Sequence, residues 1–164
     1  MILAIDPGPT ESAFVLYEPS TREVGGFGKW ENEKLIAKVR QAGLFTSGPF
    51  AAADVLVVEM IASYGMPVGR EVFETCVVVG KLLEAWGREH ERLFRTTVKL
   101  HLCGQTRAKD GNVRAALIDA FGGKDKAIGK KGTEGPLHGM SGDCWAALGV
   151  AVTYADLNEQ ARAA

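Results

Sequence analysis

Three acids stand where chemistry could be done. Asp6 ends the apolar run Ile2 to Ile5 and is followed at once by Pro7-Gly8-Pro9. Glu59 ends a second apolar run, Val55 to Val58, and Asp143 opens the stretch Cys144-Trp145-Ala146-Ala147. A carboxylate at the end of a buried strand is costly unless it is paired or holds a cation. Taken singly, each acid has a simpler use: Asp6 in a turn, Glu59 as a strand-end charge, Asp143 as an acid favoured at a helix N-terminus. Taken together they form a set that repels itself and that a divalent cation would reconcile. Hard oxygen ligands select Mg²⁺ or Mn²⁺, and two such ions ~3.5–4 Å apart suit in-line phosphodiester hydrolysis.

The elements that must position these acids are legible from patterning. Residues 2–6 read as a buried strand, and 12–18 and 22–30 as two more joined by short turns, an antiparallel meander. Residues 31–45 carry helical spacing, with apolar residues at 35, 36, 39 and 42–45. The Val-rich run 54–60 reads as a buried parallel strand. A long helix is predicted over 70–90, a strand over 92–97, and a short helix capped by Thr96 or Thr97 and stopped by Gly104. A helix over 106–123 ends at Gly122-Gly123. Residues 122–139, with six Gly and four Lys, read as a flexible basic loop. The last helix spans 140–157 with Ser141 as its N-cap. This order predicts an α/β fold: a mixed five-stranded sheet flanked by helices. With the first and fourth strands as neighbours, ~4.8 Å apart, Asp6 and Glu59 leave the sheet at one edge, and the last helix can deliver Asp143 to it.

The predicted helix 70–90 carries two apolar stripes. Phe73, Cys76, Val77, Gly80, Leu83 and Trp86 form one, and Val72, Val79 and Leu82 extend a second. A surface helix needs one stripe. Phe73, Val77, Gly80 and Leu83 are expected to face the sheet, leaving Val72, Val79 and Leu82 for a second copy of the chain.

The totals bound the rest. The chain of 164 residues is expected to form one domain, 1–164, with no internal repeat or linker. No apolar run reaches ~18 residues and no signal-like segment opens the chain, so a membrane span is not expected and the cytoplasm is. Cys76, Cys103 and Cys144 lack CxxC spacing, which excludes a disulfide framework or a zinc site. Net charge is −1, but it is unevenly spread. Residues 88–131 carry 11 basic and 5 acidic side chains, between flanks of net −4 and −3. A basic block of this kind is the electrostatic footprint of a polyanion.

At these residues the chain resembles a known family. "ILAIDPG" looks like the first motif of RuvC-type Holliday-junction resolvases, in the RNase H-like superfamily, and "VLVVEM" is similar to their second. "TTVKLHLCG" followed by "TRAKDGNVRAALI" resembles the lysine-bearing segment, and "GDCWAALGVAV" the last motif. The motifs span nearly the whole chain in order, and "DPGPTES" looks most like the phage or prophage branch. The resemblance implies a homodimeric, Mg²⁺-dependent endonuclease that cuts four-way or branched DNA symmetrically, in a bacterial or phage-infected cytoplasm. It implies Asp6, Glu59 and Asp143 as metal ligands, and Lys99 and Lys109 as phosphate contacts or stabilisers of transition-state charge. Arg107, Arg114 and the loop lysines Lys124, Lys126, Lys130 and Lys131 complete the expected DNA-binding set.

One departure stands out. The family's last motif has two metal-facing residues three apart. Either Asp143 is the first and Ala146 the second, or Met140 and Asp143 fill the two positions; in both readings one member is apolar. His138 is near enough in sequence to act as a ligand or proton shuttle, and Glu11 could also reach the site. Tyr64, in "ASYGMPVG", matches the region where the family places an aromatic residue that can insert at the junction centre, where stacking is worth ~1–3 kcal/mol. Three alternatives remain open at this level. An RNase H-like nuclease acting on RNA would not need a dimer. A junction-binding protein without catalysis would tolerate the apolar position. The sugar kinase and actin superfamily also opens a strand with Asp-x-Gly, but needs a duplicated core and a longer chain.

Overall fold

The computed structural model describes residues 1–63, 65 and 67–163. The first three strands, β1 (Ile2–Asp6), β2 (Glu11–Glu18) and β3 (Glu23–Glu31), form the expected meander. Helix α1 (Asn32–Phe45) leads to β4 (Val55–Met60), and α2 (Arg70–Trp86) leads to β5 (His90–Phe94). Strand order is β3-β2-β1-β4-β5, with β1, β4 and β5 parallel and the meander antiparallel. This is the mixed five-stranded sheet flanked by helices that patterning predicts.

Side chains alternate across a strand with period two, and the sheet buries both faces. Leu3, Ile5, Phe14, Leu16, Leu56 and Val58 pack against α1 and α2. Ile2, Ala4, Ala13, Val15 and Val57 pack on the other side, against α3 (Arg95–Cys103), α4 (Asp110–Ala120) and α6 (Cys144–Ala163). Gly149 lets these three helices close together: a Cβ there would lie 3.2 Å from Val98 of α3 and 3.4 Å from Val113 of α4.

Three expectations are corrected. Residues 122–139 are not an irregular loop: they hold α5 (Lys124–Ala127) and a small hairpin of β6 (Gly129–Lys130) and β7 (Thr133–Glu134). Ala127 and Leu137 are buried in the core and anchor the segment. The last helix starts at Cys144, not residue 140. Ser141 and Gly142 instead form the turn that leads into it, and the Asp143 carbonyl accepts the amide of Ala147. Finally, the exposed side of α2 is not the expected one: Phe73, Val77 and Gly80 face outward, while Trp86 and partly buried Leu83 of the same stripe still meet the core. Val79 and Leu82 are buried with Val78, Ala85 and Trp86, whereas Phe73 and Val77 are exposed and Gly80 has open space where a Cβ would be. The physical cause is α1, which packs beside α2 with Gly43 against the Trp86 backbone and turns the Val79 side inward.

Candidate active site

The period-two rule carries the acids to one place. Ile5 pairs with Val58 across β1 and β4, so Asp6 and Glu59 each follow by one residue. Ile5 and Val58 face α1 and α2, so the acids point to the other face, towards α6. Their carboxyls share a hydrogen bond. Glu59 is 6 % exposed.

The turn after Asp6 is built rather than loose. A Cβ on Gly8 would lie 2.5 Å from the Glu11 carbonyl oxygen, so only glycine fits the tight return into β2. The Gly8 amide donates to Ser12 Oγ at 3.3 Å, and the Ser12 hydroxyl donates to Asn32 Oδ1 at 2.6 Å. Asn32 in turn donates from Nδ2 to the Gly8 carbonyl at 2.9 Å. Ser12 and Asn32 are buried and fully engaged, and they hold the turn in place beside Asp6.

Electrostatics mark this spot. Burial, followed by the hydrogen bond and charge of Glu59, pushes the Asp6 carboxyl up to about 9, against the opposing pull of Arg95. Arg95, the first residue of α3, donates from Nη1 to Glu59 Oε2 at 3.3 Å and from Nη2 to Asp110 Oδ1 at 2.9 Å. The hydrogen bond from Arg95 holds the Asp110 carboxyl below its usual range.

Asp143 lies at the rim. It is half exposed, and its Oδ2 is 2.8 Å from Lys29 Nζ. A cleft lined by Glu59, Arg95, Lys99, Asp110, Asp143 and Ala146 lies on one side, and one lined by Asp6, the 7–11 turn, Lys29 and Asp143 on the other. Ala146 lines the first of these clefts beside Asp143, whereas Met140 is buried in the core. Among the described residues, no three acids, histidines or cysteines converge closely enough to hold a metal ion as arranged. The donor chemistry of Asp6 and Glu59 nonetheless fits a hard divalent cation: two neighbouring carboxyl groups, largely withdrawn from water, offer the oxygen donors such an ion takes.

The other expected residues are distributed around this centre. Lys99 lines the first cleft, and its Nζ is 3.3 Å from Asp110 Oδ1. Lys109 precedes α4 with its side chain exposed, while its amide donates to Asn112 Oδ1 at 3.0 Å. Arg114 lies over the Trp145 ring at 5.0 Å, and Arg107 is exposed. Lys124, Lys126, Lys130 and Lys131 are exposed on α5 and the hairpin. Glu11 enters the second cleft, 3.9 Å from Lys29. His138 does not join the acids: its Nδ1 lies 3.1 Å from the Ile128 carbonyl, on the hairpin side. Tyr64 lies outside the described residues.

Sequence reasoning missed two cations. Arg95 had a signal, since it ends the run Leu93-Phe94 of the strand beside β4, as the acids end theirs. Lys29 had none, because its facing depends on strand register.

No protein-family model matches the chain, and no curated protein sequence matches it. Solved structures do. The chain superposes on Thermus thermophilus RuvC with a TM-score of 0.68 at 18% identity, over 98% of this chain and 96% of that one. Its fold is RuvC-like. A structure of T. thermophilus RuvC in complex with a Holliday junction substrate also matches with a TM-score of 0.68, at 16% identity over 98% of this chain and 95% of that one. A fowlpox virus Holliday junction resolvase matches with 0.51 at 14% identity, over 95% and 98%. The RuvC-like sheet places β1 and β4 at its centre, where the acids emerge. Among the described residues, no helix is long and apolar enough to cross a membrane.

Proposed function

We propose that this chain is a divalent-metal-dependent endonuclease that cuts four-way or branched DNA as a homodimer. The observation that carries the reading is the Asp6–Glu59 pair at the centre of a RuvC-like sheet, on the face that α6 covers. Asp6 and Glu59 would hold the cation, Mg²⁺ or Mn²⁺. When bound, it supplies Lewis-acid polarisation of a phosphodiester and a water of lowered pKa. Arg95 balances the charge of Glu59, and Lys99 sets a cation at the mouth of the cleft. Exposed Lys109, Arg107, Arg114 and the lysines of 124–131 would supply the positive charge that meets a phosphate backbone.

The dimer rests on α2, through the face opposite to the one patterning predicts. Phe73, 62 % exposed, and Val77, 53 % exposed, share a stripe with Gly80, which presents no side chain. A second copy related by a two-fold axis would cover this stripe and match the symmetry of a junction with two strands to cut.

A second reading, junction binding without cleavage, is favoured by Ala146 in the cleft and by Asp143 turned to Lys29. One experiment separates the two. A labelled immobile four-way junction and a duplex of matched length are incubated with the chain, with and without Mg²⁺. Paired, Mg²⁺-dependent incisions in the junction support the nuclease; retention of an intact junction in Mg²⁺ supports the binding protein.

A further inference from the structure

Lys29 belongs to the acid centre through register alone. Asp6 pairs with Ala13 on β2, and Ala13 pairs with Lys29 on β3. Directly paired residues share a face. Lys29 therefore lies in one cross-strand row with Asp6, on the α6 side, and the small Ala13 between them leaves the row open. The Lys29 ammonium reaches Asp143 at 2.8 Å and Glu11 at 3.9 Å and lines the cleft that Asp6 and Asp143 also line.

The charges then divide into two groups. Asp6 and Glu59 form a hydrogen-bonded pair, with Arg95 against Glu59. Asp143 stands apart and already has its cation, within hydrogen-bonding distance. A divalent ion at the Asp6–Glu59 pair meets compatible donors. A further divalent ion at Asp143 would have to displace an ammonium already bound there, against the repulsion between like charges a few ångströms apart. A lysine ammonium offers positive charge and three donors with no coordination geometry to satisfy.

We propose that the Lys29 ammonium takes the place of a second cation at this site, so that the chain holds one divalent cation, at Asp6 and Glu59. Lys29 keeps Asp143 at the rim and adds a fixed positive charge beside the pair. The inference rests on the nuclease reading for its purpose, but its readout is metal binding and needs no DNA.

The test is calorimetric titration of Mn²⁺ alone into the full chain and into the K29M, K29R and D6N variants. Lys29 is 44 % exposed on an edge strand, so both of its substitutions leave the core untouched. The wild type is expected to take up one Mn²⁺ per chain. K29M frees Asp143 and is expected to take up a second; K29R keeps the cation and is expected to take up one. Two Mn²⁺ in the wild type, or one in both wild type and K29M, would overturn the assignment. D6N is expected to lose the wild-type binding. An unchanged D6N isotherm would overturn the carboxylate centre and the role of Lys29 with it. The one-to-two change in K29M, found in a chain that cuts no junction, would refute the nuclease and still uphold Lys29 as the substitute cation.

Discussion

Asp6 and Glu59 each stand one residue past the Ile5–Val58 pair of β1 and β4, and their carboxyls share a hydrogen bond. Two acids placed so close, and largely out of water, cannot both ionise cheaply. That mutual penalty has measurable consequences.

The first concerns pH. The Asp6 carboxyl titrates at about 9 in the fold, against 3.8 ordinarily. Between those values the folded chain binds more protons than the unfolded chain, so this group makes stability fall as pH rises through that window. Thermal melts in chelator should show the decline. Mg²⁺ should reduce it, and cation binding near neutral pH should release about one proton. Asp6→Asn removes the charge, so at mildly alkaline pH without metal its Tm should exceed the wild type's, by about 2–4 °C per kcal/mol relieved. A lower Tm for Asp6→Asn under those conditions would mean that burial beside Glu59 does not raise the Asp6 carboxyl.

The second concerns cleavage. Asp6→Asn and Glu59→Gln should each slow junction cutting on the order of 100-fold or more, with binding in the absence of metal nearly unchanged. Asp143→Asn should also slow cutting, since it removes the partner of Lys29. Single-turnover rates on a labelled junction check all three. Wild-type cutting by Asp143→Asn would remove that residue from the site.

The third concerns DNA affinity. Replacing Lys124, Lys126, Lys130 and Lys131 with Ala should weaken binding to every DNA shape. It should also flatten the log–log salt dependence by about 0.9 for each duplex phosphate that the lysines no longer neutralise. Lys99, partly buried and paired with Asp110, should contribute less to that slope. Tyr64→Ala should instead lower the preference for junction over duplex, by up to the ~1–3 kcal/mol that one base stack on an aromatic ring is worth. Competition binding at several salt concentrations separates these effects, and an unchanged preference in Tyr64→Ala would exclude the inserted aromatic.

The fourth concerns assembly. Val77→Glu places a charge on the exposed stripe of α2 and should yield a folded monomer that makes unpaired nicks. Val79→Glu buries a charge at a position 3 % exposed and should cost about 3–5 kcal/mol or abolish folding. Light scattering with circular dichroism distinguishes the two. A wild-type mass near a single 17.6 kDa chain at micromolar concentration would refute the dimer.

Local patterning was enough for the central sheet, its main helices and the acids, but not for the small helix and hairpin within 124–134, whose Gly and Lys content hides them. Short Val- and Ile-rich runs ending in Asp6 and Glu59 are strands because a continuous apolar run of that length buries both faces of a parallel sheet. Their terminal carboxylates then had to emerge at strand ends. What patterning could not supply was pairing over distance. Two equally apolar stripes on α2 leave its facing undecided until α1 packs beside it, which is why Val79 turned inward and Phe73 outward. The facing of Lys29 depends on an irregularity between Leu16 and Tyr17 in the β2–β3 ladder, where the pairing shifts by one residue. Without that shift Lys29 would pair with Ser12 and point to the α1 side. A one-residue slip exchanges the two faces of a strand. The acids could therefore be read from the sequence, whereas the lysine that joins them was decided by tertiary pairing.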